Sequence, residues 1–184
     1  MPAEIRRRTP EELLREVQAE EAAAKGGQLK IFLGYSSGVG KSFRMLDEAR
    51  RRKERGEDVV VGAIQAQVPR EVEGLLQRLE VIPLKTIASD RAVSKTIDVE
   101  AVIRRHPTVC IIDGLAYDNP VGSRNRTRWQ DVQELLSAGI RVIGSINIQY
   151  IAELQEQVEA ITGKHVQTSV PVSFVKSAYE IEIV

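Results

Sequence analysis

A chain of 184 residues, 42% hydrophobic and 28% charged, has the composition of one ordinary globular domain with room for a real core. Basic and acidic residues both number 26, so the net charge is zero and the chain as a whole gives no ground for expecting nucleic acid or a membrane surface as a partner. The one cysteine, Cys110, excludes an intrachain disulfide and fits a reduced, cytoplasmic setting. No apolar run reaches the ~18–20 residues of a spanning helix, and the charged N-terminus is not that of a secretory signal. Aromatics are only 4%, so the core must be built from Val, Ile, Leu and Ala, as in α/β proteins with buried parallel strands.

The expected organisation is a single domain over 1–184, with a helical arm at 1–27 and an α/β core at 28–184. Thr9-Pro10-Glu11-Glu12 reads as a helix start with a capping box between Thr9 and Glu12. Leu13, Leu14 and Val17 form a short apolar stripe, and Gly26-Gly27 ends the helix, which is expected to lie on the domain. The first strand is Leu29–Leu33. The loop that follows, Gly34-Tyr35-Ser36-Ser37-Gly38-Val39-Gly40-Lys41-Ser42, opens a helix over Lys41–Arg55.

Strand, small-residue loop and Gly-Lys-Ser at a helix start are the layout of a phosphate-binding P-loop. Gly38 and Gly40 allow backbone angles that turn successive N–H groups inward around an anion, and the positive end of the helix dipole points to the same place. Ser36, Ser37, Gly38, Val39, Gly40, Lys41 and Ser42 are therefore the candidate nucleotide-binding residues. Lys41 supplies a charge for the outer phosphates, and Ser42 a hydroxyl ligand for Mg²⁺. The strict spacing requires glycine at position 35, where this chain has Tyr35, with Gly34 one residue early. The basic run Arg50–Arg55 complements the helix C-terminus as a solvated face.

A second buried strand spans Val59–Ile64, with Gln65-Ala66-Gln67 beyond its carboxyl end, where open α/β sheets place ligand contacts. Pro69 begins a helix through Val72, Leu75, Leu76 and Leu79, and a short strand at Leu84–Ala88 with a loop follows. Ile97-Asp98 opens a helix over Val99–Arg105, with His106 at its end complementing the dipole. Thr108–Asp113 is a third strand whose terminal Asp113 is placed to hold Mg²⁺ together with Ser42. The following residue, often an acid in hydrolysing P-loop proteins, is Gly114.

Residues 114–128 form a long polar loop of the kind that is functional or mobile. Its alternating Arg124, Arg126 and Arg128 fit phosphate oxygens or a partner's acids, and Arg124 joins the candidate nucleotide-binding set. A helix over Trp129–Ala138, a fourth strand over Val142–Ile146, a helix over Tyr150–Ile161 and a last strand within Tyr179–Val184 complete the chain. Asn147 and Gln149 lie past the fourth strand's carboxyl end. The fold expected is a doubly wound, mostly parallel α/β sheet of the P-loop nucleoside-triphosphate-binding type.

Gly38-Val39-Gly40-Lys41-Ser42, Gly56-Glu57-Asp58-Val59-Val60-Val61-Gly62, Leu79-Glu80-Val81-Ile82-Pro83, Gly122-Ser123-Arg124 and above all Arg128-Trp129-Gln130-Asp131-Val132 carry a resemblance. The chain resembles the N-terminal cytoplasmic domain of KdpD-type potassium sensor histidine kinases over nearly its whole length. The resemblance implies a sensory module of a two-component system that binds ATP and tunes a histidine-kinase core or another Kdp-system protein. The chain has no phosphoacceptor-histidine helix and no kinase ATP lid of its own. It departs from the family at three strand ends: Asp113-Gly114-Leu115-Ala116-Tyr117 for Asp-Glu-Leu-Ala-His, Gln65-Ala66-Gln67 for Glu-Thr-His, and Gln149-Tyr150 for Gln-His.

Three functions remain open on the sequence. One is a regulatory module binding ATP with Mg²⁺. Another is a P-loop ATPase or kinase-like phosphoryl transferase with Asp118 or Asp131 as base. The last is a degenerate interaction domain in which Tyr35 fills the phosphate site.

Overall fold

The computed structural model describes residues 9–88 and 93–184. Six strands form one sheet: β1 (Leu29–Gly34), β2 (Val59–Ala63), β3 (Glu80–Val81), β6 (Val109–Ile112), β7 (Arg141–Asn147) and β8 (Glu180–Ile183). Their order is β3-β2-β6-β7-β1-β8, and every pairing in this sheet is parallel. The strand after the loop-bearing β1 in space is thus β7, which separates β1 from β6 and its terminal Asp113.

The four central strands are near-continuous apolar runs because both faces are covered. On one face Phe32, Val59, Val61, Val109, Ile111 and Ile143 meet Met45, Leu46 and Ala49 of α2 (Lys41–Glu54) and Val72 of α3 (Arg70–Leu76). On the other, Ile31, Val60, Cys110, Ile112 and Val142 meet α4 (Val99–Arg105), α5 (Arg128–Ser137) and α7 (Val172–Lys176). The expected doubly wound parallel α/β architecture is present. Burial pushes the Cys110 thiol up to about 12, so it is an inert core residue.

Lys30 is the buried charge of the sheet. It points to the α2 face and pairs with Glu48 (2.7 Å), Glu180 (3.0 Å) and Glu182 (3.1 Å). Glu48 also accepts from Arg52 at 2.8 Å. One ammonium therefore joins α2 to the edge strand β8 across β1.

Several expectations need correction. The capping box forms, with Glu12 N–H donating to Thr9 Oγ1 (3.2 Å) and Thr9 N–H to Glu12 (2.8 Å), at the start of α1 (Pro10–Lys25). Its apolar stripe does not lie on the domain: Leu13, Leu14 and Val17 are 48, 58 and 52% exposed. The first eight residues of the expected arm lie outside the described residues. The strand near 84–88 is β4 (Lys85–Ala88), which pairs antiparallel with β5 (Val93–Thr96) in a separate hairpin; residues 89–92 of the expected loop lie outside the described residues.

The single helix expected over 150–161 is broken. Two 3-10 turns, Ile148–Tyr150 and Ala152–Leu154, precede α6 (Gln155–Thr162). The cause is a parallel bridge between Ile151 and Val170. Ala152 N–H donates to the Val170 carbonyl (2.9 Å) and Val170 N–H to the Tyr150 carbonyl (2.7 Å), which holds Ile151 extended. Helix α7 was not expected; Pro171 supplies its first turn and Phe174 and Val175 its buried face.

Candidate functional site

The parallel register aligns Gly34 with Asn147 and Ile112 with Gly144, bringing the carboxyl ends of β1, β7 and β6 side by side. A cleft of about 360 Å³ opens there. Its walls are Ser37, Gly38 and Gly40–Phe43, Gln65, the start of α3 at Pro69, Glu71 and Val72, then Gly114, Ala116 and Tyr117, and Ser145–Asn147 with Tyr150 and Thr168.

The loop has the geometry its glycines imply. Gly38 and Gly40 have φ of 83° and 97°, left-handed values that side chains resist, and Gly40 is the N-cap of α2. Gly34 answers the displaced glycine of the motif. A Cβ on Gly34 would lie 2.8 Å from the Lys41 ammonium and 2.9 Å from its Cδ, so the bare strand end gives room for the lysine to fold back. Lys41 Nζ donates to the Ser36 carbonyl at 2.7 Å. Burial holds the ammonium below its usual value, with the charge of Asp113 partly offsetting this.

Asp113 is buried at the end of β6 and accepts from two hydroxyls: Ser42 at 2.9 Å on one oxygen, and Ser145 on the other. Ser145 in turn accepts from Gly114 N–H at 3.0 Å. Ser42 and Asp113, 71 residues apart in the sequence, are joined by a single hydrogen bond. Among the described residues no cluster of three or more His, Cys, Asp or Glu could form a metal cage.

The other candidates divide. Ser37, Gly38, Gly40, Lys41 and Ser42 line the cleft. Ser36 contributes its carbonyl to Lys41, and Val39 is outside the cleft, 38% exposed. Arg124 does not join them: its guanidinium pairs with Glu100 (3.2 Å) and Glu134 (3.0 Å) on the outer surface. Tyr35 does not fill the loop; it is 68% exposed and is no part of the cleft wall.

The long loop is organised. Asp118 and Thr127 form an antiparallel bridge, and Asn119 N–H donates to the Arg126 carbonyl (2.9 Å). Asp131, considered above as a base, is buried with its oxygens accepting from the amides of Asn119 (2.6 Å) and Asn125 (2.9 Å). It is a staple for the loop and does not face the cleft. Burial raises its pKa, with the two amides only partly offsetting this. Arg128 tucks beneath Tyr117, 4.8 Å from the ring centre, and donates to the Asp113 carbonyl at 2.8 Å.

Ser145, Asn147, Tyr117, Tyr150, Thr168 and Glu71 are wall residues that the motif did not assign. For Asn147 the signal was its place past a strand end; Ser145 is hidden in an apolar run, and Thr168 comes from a distant segment tied in by the Ile151–Val170 bridge.

A parallel, helix-covered sheet with a glycine loop, a lysine and a Ser–Asp pair at its carboxyl edge defines an α/β domain with a cleft at its strand ends. Comparison with known proteins makes this specific. A family model described as "Osmosensitive K+ channel His kinase sensor domain" matches residues 25–184, and the chain belongs to this KdpD sensor-domain family. It is 45% identical over 165 residues to a protein named Sensor protein KdpD from Mycobacterium tuberculosis (strain CDC 1551 / Oshkosh), covering 90% of this chain and 19% of the relative. The Sensor protein KdpD of Escherichia coli K12 is 38% identical over 165 residues, 90% of this chain and 18% of the relative. That of Clostridium acetobutylicum is 35% identical over 184 residues, the whole of this chain and 20% of the relative. The chain thus spans about a fifth of the length of these relatives. No helix among the described residues is long and apolar enough to cross a membrane.

Proposed function

We propose that this domain is a regulatory ATP-binding module of a two-component potassium and osmotic signalling system, acting in the cytoplasm on a histidine-kinase core. The observation that carries the reading is the Ser42–Asp113 hydrogen bond, 2.9 Å, at the foot of a glycine loop whose Gly38 and Gly40 face open space. The loop amides from 36 to 42 and the Lys41 ammonium would hold the phosphates, and Ser42 with Asp113 would hold Mg²⁺. Bound Mg²⁺ would supply neutralising charge at the outer phosphates.

Binding rather than turnover is the role the wall residues support. Gly114 offers no side chain beside Asp113, Asp131 is committed to the loop, and Asp118 is exposed outside the cleft. The carboxylate among the wall residues is Glu71, on the exposed first turn of α3. Nucleotide then acts by shifting the populations of two conformations that a kinase core reads.

A thermal unfolding series with MgATP tests this. A ligand that binds only the folded state at a hundredfold excess over its Kd stabilises by about 2.7 kcal/mol, so the melting temperature of the wild type should rise and that of Lys41→Ala should not. An unmoved wild-type transition across millimolar nucleotide would refute the reading.

A further inference from the structure

Helix α1 has a built N-terminus and no packing surface. The Thr9–Glu12 capping box closes its first turn, yet Leu13, Leu14 and Val17 are exposed. An isolated helix of this length is marginal in water, so its stability has to come from burying one face. Two glycines form its root. Gly27 is pinned: its N–H donates to the Leu136 carbonyl at 2.7 Å, and a Cβ on it would run into the Ile140 carbonyl. Gly26 is open, with a φ of 69° and nothing within 4 Å of a Cβ built on it. A left-handed glycine beside a fixed one is a pivot.

A second apolar face lies uncovered close by. Along β8, Glu180 and Glu182 turn to the α2 face, where Lys30 and Arg44 hold them. Ile181 is aligned with Ile31 and Ile183 with Leu33, on the α5 and α7 side. Tyr179, whose N–H donates to the Leu29 carbonyl, precedes them. Tyr179, Ile181 and Ile183 are 74, 41 and 63% exposed. Parallel sheets are ordinarily covered on both faces, and here the α5 side of the edge strand is bare. Leu136, which holds Gly27, belongs to α5, so α1 is rooted on that same side of the sheet.

We infer that the bare face of β8 is the seat of α1 from the same chain: a strap that swings about Gly26 and lays Leu13, Leu14 and Val17 along the edge of the sheet. The lengths agree. Val17 stands nine residues before Gly26, about 14 Å along a helix, and Ile183 four residues after Tyr179, about 13 Å along a strand. Leu13 stands thirteen residues before Gly26 and Tyr35 six residues after Leu29, about 20 Å in each case. The seated helix therefore ends level with Tyr35, the 68% exposed residue at the start of the glycine loop. Charge agrees as well. Glu21 on α1 and Lys176 at the end of α7, just ahead of β8, are both exposed and make no ion pair among the described residues. The tether sets α1 at a higher effective concentration over this face than a separate helix reaches.

The experiment links cysteines placed on the two faces. Val17→Cys combined with Ile183→Cys should close an intrachain disulfide under mild oxidation, read as a faster-migrating monomer on a non-reducing gel. Val17→Cys combined with Val121→Cys, a 92% exposed position on the loop beside the β4–β5 hairpin, should not. The native Cys110 is buried and stays out of the exchange. In the wild type, hydrogen exchange over 10–25 should be slowed about tenfold or more relative to a free peptide of that sequence. Ile183→Glu should remove this protection and leave β6 and β7 protected. Exchange as fast as the peptide's, protection unmoved by Ile183→Glu, or equal linking of both cysteine pairs would overturn the inference. Disulfides formed only between chains would overturn it too, and would assign the face to a second copy.

Discussion

Tyr117 keeps position 114 bare. A Cβ on Gly114 would lie 2.1 Å from Cε2 and 2.4 Å from Cδ2 of the Tyr117 ring, and Gly114 itself has a φ of 68°. The ring is held by Arg128, which also donates to the carbonyl of Asp113. Glycine at 114 and tyrosine at 117 are therefore one packing solution. Any side chain at 114 requires the Tyr117 ring to move.

Gly114→Ala should destabilise by about 1 kcal/mol from left-handed strain plus about 1–3 kcal/mol from overpacking against the ring. In a Tyr117→Ala background only the strain remains. Urea unfolding of the two single variants and the double variant measures the difference. Equal costs of Gly114→Ala in both backgrounds would contradict the contact.

Lys30 holds three carboxylates, and its removal leaves them facing one another. Burial alone would depress its pKa, but Glu48, Glu180 and Glu182 more than offset this and the net shift is upward. Lys30→Ala should cost about 3 kcal/mol, the lower end for breaking a buried pair, since Glu180 and Glu182 keep contact with water. Chemical denaturation at neutral pH reads this directly, and a change under about 0.5 kcal/mol would place the cluster among ordinary surface pairs.

Glu48 makes the same cluster sensitive to acid. Burial pushes its carboxyl up, but Lys30 and Arg52 outweigh burial and set it below its ordinary 4.5. The stability it contributes is complete above pH 4.5 and is lost as pH falls through the lower folded value. The stability gap between wild type and Glu48→Gln should narrow as pH is lowered from neutral to about 3. A gap independent of pH would contradict the assignment.

Asp131 receives two amide donors, from Asn119 and Asn125. Asp131→Asn turns an NH2 toward one of them and leaves a buried donor unsatisfied, at a cost of about 1–3 kcal/mol. Limited proteolysis should then cut within 114–127, where the wild type resists. Unchanged cleavage would show that the loop is held by something else.

The parts of this domain legible in the sequence are those written in local patterns. The runs at 29–34, 59–63, 109–112 and 141–147 announced strands buried on both faces, and Gly40-Lys41-Ser42 announced a helix start with an open loop before it. Contacts that depend on distant residues were hidden. Nothing near Arg124 says that Glu100 and Glu134 would take it, and nothing near Asp131 says that two asparagines would. The break at Ile151 comes from Val170, and the exposed stripe of α1 has the periodicity of a packed helix without a packing partner among its neighbours in sequence. Of the site, the loop, Asp113 and the strand-end place of Asn147 could be read, whereas Ser145 required knowing that β7 lies between β1 and β6.

The central claim is that this cleft holds a polyphosphate, and calorimetric titration with MgATP addresses it most directly. The wild type should give a saturable binding isotherm. Lys41→Ala should lose about tenfold or more in affinity, as for a charge-assisted contact removed, and Asp113→Asn should lose the part of the affinity that depends on Mg²⁺. No binding heat from the folded wild type with Mg²⁺ present, or equal affinity in Lys41→Ala, would contradict it.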